Sequence, residues 1–98
     1  MTTLHERAMV LPHVVPALPK HVRIQYDPVR QAFALLSPEN VFWPNEISLE
    51  ILRRCDGRSP VGQIVADLAR EYNAPEEDVA ADVTAFLQEW SDKLLVKL

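Results

Sequence analysis

Glycine and cysteine are nearly absent from this chain, and each shortage closes a class of function. Two glycines, Gly57 and Gly62, in 98 residues leave no material for a glycine-rich loop that cradles phosphates. A single cysteine, Cys55, can form neither an internal disulfide nor a thiolate metal cluster, which fits a reducing compartment. No apolar run approaches the roughly 20 residues of a membrane span, and the N-terminal stretch has no signal-like hydrophobic region, so no membrane association and a cytoplasmic location are expected. Cations are also short. The formal net charge is -4, and the C-terminal quarter carries Glu76, Glu77, Asp78, Asp82, Glu89 and Asp92 against Lys93 and Lys97, a distribution that repels a phosphate backbone.

What is present suits one small domain with one core. The chain is 48% apolar and 24% charged, and a chain of this length buries roughly 60 to 68% of its unfolded surface for a stability of about 5 to 10 kcal/mol. Residues 1–19 hold Pro12, Pro16 and Pro19 without a clear period and read as a flexible tail, with 20–98 as the domain. Within the tail, Met9-Val10-Leu11 is apolar enough to dock on the domain or on a partner.

Strand patterning comes first along the domain. Val22, Ile24 and Tyr26 alternate with Arg23 and Gln25, the period of a half-buried strand. Asp27-Pro28 opens a turn, and Ala32–Leu36 returns as the second strand of a hairpin. Asn40-Val41-Phe42-Trp43 reads as a short third strand stopped by Pro44, which lacks an N–H for a ladder. Its neighbourhood is mildly basic, with Lys20, Arg23 and Arg30 against Asp27 and Glu39.

Helical periodicity follows. Asn45 is a good N-cap for a helix over 46–55 with Ile47, Ile51, Leu52 and Cys55 on its apolar stripe. Gly57 is the expected left-handed C-cap of that helix, and Ser59-Pro60 the N-cap hydroxyl and first-turn proline of the next. The second helix, 60–72, places Val61, Ile64, Val65, Leu68, Ala69 and Tyr72 on one face. A third, from Pro75 to about 93, carries Val79, Val83, Phe86, Leu87, Trp90 and Leu94, with acidic residues in its first turn. Leu94–Leu98 either end that helix or lie extended. The fold class is therefore α+β and winged-helix-like: a three-stranded antiparallel sheet followed by a three-helix bundle.

Catalytic and metal-binding constellations are not evident. His5, His13 and His21 are spaced by eight residues and lie in the tail or at its junction, so no regular geometry presents two of them to one metal. Cys55 falls on an apolar stripe with no partnered base, as a core residue would. Glu76 and Glu77 occupy a helix first turn, where the helix dipole accounts for them. No catalytic residue, cofactor or metal is expected, and no enzymatic activity.

A binding module remains, in one of two forms. A winged helix can read DNA, but the helix after the turn offers only Arg70 against Asp67 and Glu71, whereas phosphate neutralisation needs several cations on one face. The other form uses the third strand as an open edge to which an extended peptide adds a strand, with one flank of the third helix as the wall. An edge of Val41, Phe42 and Trp43 is also adhesive, so a monomer that forms edge-mediated or segment-exchanged dimers at high concentration is expected.

The run Ile51-Leu52-Arg53-Arg54-Cys55-Asp56-Gly57-Arg58-Ser59-Pro60, with Arg23–Asp27, the Leu36-Ser37-Pro38-Glu39 corner, Asp82-Val83 and Phe86-Leu87, resembles the pyrroloquinoline quinone biosynthesis protein D family, whose members belong to the peptide-binding RiPP recognition elements. The resemblance covers about 18–98. It implies a chaperone that binds a ribosomally made precursor peptide and presents it to a radical S-adenosylmethionine enzyme, which crosslinks a glutamate to a tyrosine. It further implies that Asn40, Val41, Phe42 and Trp43 pair or pack with the peptide while Asp82 and Phe86 face it from the helix; for Trp43 and Phe86 the other role open is core packing. Pro44 departs from the family, where an aliphatic residue is more usual, and this implies a shorter groove.

Overall fold

A computed structural model describes residues 8–98; His5 and the rest of 1–7 lie outside the described residues. The element order is β1 (Arg23–Asp27), β2 (Ala32–Leu36), β3 (Val41–Phe42), α1 (Glu46–Arg53), α2 (Val61–Glu71) and α3 (Glu76–Asp92). The strands form one antiparallel sheet in the order β1-β2-β3. The expected architecture of three strands followed by three helices is the one that forms.

The β1–β2 hairpin turns through 28–31. Asp27 Oδ1 accepts the Val29 and Arg30 N–H groups, and Gln31 takes the left-handed conformation at φ 51° that closes such a loop. Register pairs Ile24 with Leu35, and Leu35 with Phe42. That row forms the inner face of the sheet, and Leu35 is buried with Ile51, Leu52, Ile64, Val83 and Leu87 in the core between sheet and helices.

Helix ends follow local chemistry, with two corrections. Asn45 Oδ1 accepts the Ser48 N–H at 2.8 Å, as a capping asparagine should. Gly57 is left-handed at φ 76°, yet it lies beyond the end of α1, whose C-cap is Arg54; its N–H donates to the Pro16 carbonyl. Ser59 does not cap α2 with its hydroxyl, because Asp56 draws in both the Ser59 N–H and Oγ. The N-cap position is Pro60, with no side-chain bond.

Backbone carbonyls from the N-terminal segment supply the missing cap. Val61 N–H donates to Val14 O at 2.8 Å and Gly62 N–H to Pro12 O at 2.9 Å, satisfying two of the four donors a helix start leaves unpaired. A Cβ on Gly62 would stand 3.4 Å from that Pro12 oxygen. Val10 is buried in the core, and Gln88 on α3 clamps the backbone on either side of Met9, donating to Ala8 O and accepting from Val10 N–H. Ala17 pairs with Lys97 through two bonds of 2.7 and 2.8 Å. Val10, Pro16 and the backbone bonds of Pro12, Val14 and Ala17 thus hold this segment against the domain, where its carbonyls and apolar side chains complete α2 and the core.

The last residues are resolved by a left-handed Leu94 at φ 64°. Leu94 N–H bonds to Ser91 O and Leu95 N–H to Trp90 O, the paired bonds of a Schellman cap. The chain then turns extended, and Leu95 and Val96 are buried.

Candidate functional site

β3 is an edge strand, and its hydrogen-bond phase decides what the edge presents. Ser37 N–H donates to Asn40 O at 3.0 Å, and Asn40 N–H is held by Ser37 Oγ at 3.2 Å. The Ser37–Asn40 pair thus faces inward across the β2–β3 turn, and Leu35–Phe42, two residues on, does the same. Val41 stands between them, so its N–H and C=O point away from β2 to the open edge. The same alternation reaches Trp43, one residue past the strand.

Side chains alternate independently of the backbone groups. Phe42 turns inward, 5.6 Å between ring centroids from Trp90, and Trp90 stacks on Phe86 at 5.0 Å and 25°. Three rings thus join β3 to α3, each partly buried. Val41 (54% exposed) and Trp43 (44% exposed) lie on the opposite face of the sheet, beside Gln25, Ala34 and Leu36, where the Arg30 guanidinium covers the Trp43 ring at 4.7 Å.

The six expected site residues are therefore not one lining. Phe42 and Phe86 meet the same aromatic cluster through Trp90. Val41 offers the edge its backbone while its side chain faces away, and Trp43's ring stands on the outer face. Asn40 belongs to the turn rather than to the strand, which is two residues long instead of four. Asp82 is exposed at the mouth of a separate cavity with Ile47 and Tyr72. Trp90, the ring that links strand to helix, was placed by periodicity on the core stripe alone; its spacing of four from Phe86 was the signal that both rings share one flank.

Toward the C-terminal end of α3 a cleft of about 550 Å³ is bordered by His21, Glu39, Asn40, Phe42, Lys93 and Leu94. Lys93 Nζ is held by Glu89 at 2.9 Å. Two arginines of the helices are paired within the chain: Arg54 bridges Glu50 (2.7 Å) and Glu71 (2.6 Å), tying α1 to α2, and Arg70 pairs with Asp67 at 2.7 Å. Cys55 is buried, its Sγ 3.3 Å from Ile51 O, and burial, then the Asp56 charge, pushes its thiol up to about 12, away from nucleophilic use.

An antiparallel sheet with an edge strand beside an aromatic helix flank is the kind of surface to which an extended segment can add a strand. The family model for coenzyme PQQ synthesis protein D (PqqD) matches residues 33–96, and the chain belongs to that family. It is 42% identical over 78 residues to a PqqA binding protein of Bradyrhizobium diazoefficiens, covering 80% of this chain and 76% of that one. A PqqA binding protein of Xanthomonas oryzae is 40% identical over 83 residues, covering 85% and 90%. The solution structure of the PqqD truncation of Methylobacterium extorquens PqqCD, described as a functional stand-alone RiPP recognition element, superposes with a TM-score of 0.77 at 32% identity over 94% of this chain and 97% of that one. The crystal structure of PqqD from Xanthomonas campestris superposes at 0.58, also 32% identical, over 92% and 100%.

Proposed function

We propose that this chain is a peptide chaperone of pyrroloquinoline quinone biosynthesis: it binds the precursor peptide PqqA as a strand on the open edge of β3 and presents it to a radical S-adenosylmethionine enzyme for glutamate–tyrosine crosslinking. The observation that carries the reading is the outward N–H and C=O of Val41 beside the Phe42–Trp90–Phe86 cluster. Main-chain bonds to Val41 supply affinity without sequence demand, and the aromatic flank supplies register. From Asp82 to Asp92 the helix runs about 15 Å, the length of roughly four to five residues of extended peptide.

On this reading the domain contributes binding and orientation and has no reaction of its own. Asn40 shapes the turn at one end of the edge, Val41 and Trp43 pair through their backbones, Phe42 and Phe86 pack on peptide side chains, and Asp82 sets the charge at the far end. Binding takes place in the cytoplasm between monomers and free peptide. A DNA-reading role finds no support in the charges of α2, where Arg70 is already paired with Asp67. Isothermal titration against the synthetic cognate precursor should give saturable binding of one peptide per chain, while duplex DNA at low and high salt gives none. DNA binding that weakens with salt, with no heat from the peptide, would overturn the proposal.

A further inference from the structure

A second cavity, of about 200 Å³, lies among the helices: Ile47 and Ile51 of α1, Leu68 in the last turn of α2 with the adjacent Tyr72, and Val79 and Val83 of α3. Its floor is apolar and buried, since Ile51, Leu68 and Val83 are each no more than 3% exposed. Its mouth is not. Ile47 is 45% and Tyr72 42% exposed, although both lie on the apolar stripes of their helices, where burial is the rule. The remaining lining is Ala74 and, at the rim, the Asp82 carboxylate.

The mouth lies along the flank of α3 that carries the aromatic cluster. Asp82 precedes Phe86 and Trp90 by one and two turns of α3, on the same flank, and Ile47 follows β3 by five residues across the Asn45 cap. A peptide strand paired along β3 would leave the edge past Trp43 at the end from which the chain passes to Ile47 and α1. For a strand antiparallel to β3, as every pair in this sheet is, the residues that reach it lie N-terminal to the paired stretch.

We propose that this helix-walled cavity is an anchor subsite for one uncharged aliphatic or aromatic side chain of the bound peptide, just upstream of its strand-paired segment. The inference rests on the strand-addition reading above. Cofactor-sized ligands generally need about 300 Å³ or more, so the smaller volume suits a single side chain. The rim selects against carboxylates: Glu46 and Glu50 act on the Tyr72 phenol at the mouth, which partial burial first and then these charges raise above its ordinary value, and Asp82 adds a further negative charge.

The test is a set of synthetic precursor peptides, each with one apolar residue changed to alanine, titrated by fluorescence anisotropy against the wild type, Ile47→Asp and Tyr72→Ala. Ile47 is the second residue of α1, where an aspartate favours the helix dipole, and melting curves verify folding. One upstream peptide position should lose roughly tenfold or more in affinity on the wild type, and that loss should shrink to about twofold or less on either variant. In the unsubstituted protein the Ile47 and Val79 methyl resonances should shift on peptide addition. Tight binding with no peptide position coupled to 47 or 72, or with unmoved methyl signals, overturns the subsite and leaves strand addition standing. Absence of binding by the wild type overturns both.

Discussion

Val41→Pro separates the edge of β3 from the stability of the sheet. The Ser37–Asn40 and Leu35–Phe42 pairs carry the inward bonds of the β2–β3 ladder, so a proline at 41 removes a donor that β2 does not use. Val41 is 54% exposed, and little burial is lost. The remaining cost is the proline φ near -65° where a strand prefers about -140°; at about 1 kcal/mol this lowers the melting temperature by roughly 4 to 8 °C. A bound peptide loses far more. One hydrogen bond is worth about 0.5 to 1.5 kcal/mol, and the peptide carbonyl left unpaired against the ring costs a further 1 to 3 kcal/mol. Their combination, about 1.5 to 4.5 kcal/mol, is roughly 10- to 2,000-fold in Kd. Calorimetric titration with the precursor, alongside circular dichroism, reads both quantities. Val41→Thr, which keeps the N–H, should bind within about threefold of the wild type. A folded Val41→Pro variant with unchanged affinity would refute strand addition at this edge.

Cys55→Ala should cost about 1 to 2 kcal/mol by thermal melting and leave peptide affinity unchanged, since the thiol is a buried core group; with its pKa pushed up to about 12, alkylation of the native protein at pH 8 should be slow, and rapid modification would contradict its burial. Val10→Ala should lose about 2 kcal/mol in melting experiments, because Val10 is part of the core; a neutral result would show that the N-terminal segment packs without stabilising. Sedimentation should show a monomer in dilute solution and a concentration-dependent dimer that dissociates with precursor; a dimer unchanged at saturating peptide would place self-association away from the β3 edge.

Local periodicity determines those elements that a single segment completes on its own. The stripe of α2, the Ala32–Leu36 strand and the Asn45 cap depend on local spacing and local hydrogen bonds, and the bounds of β2 coincide with the expectation. Errors arose where distant segments complete an element. Ser59 is a sound local N-cap, but Asp56 captures it and the carbonyls of Pro12 and Val14 take over the task; backbone carbonyls carry no residue-type signal, so the docking of 10–18 left only the apolar Met9-Val10-Leu11 as a trace. The candidate site was half legible. Strand parity alone separates Phe42 from Val41 and Trp43. The stacking of Phe86 on Trp90 and its reach to Phe42 needed the tertiary arrangement of α3 over β3.

The central claim is that the peptide becomes the fourth strand of this sheet, and amide hydrogen exchange on the isotope-labelled protein tests it most directly. With saturating precursor, exchange at the Val41 and Trp43 amides should slow sharply while Phe42, already paired with Leu35, changes little, and cross-strand contacts from the peptide backbone should appear at Val41. Saturable binding that leaves the Val41 and Trp43 amides exchanging at their free rates would contradict the account.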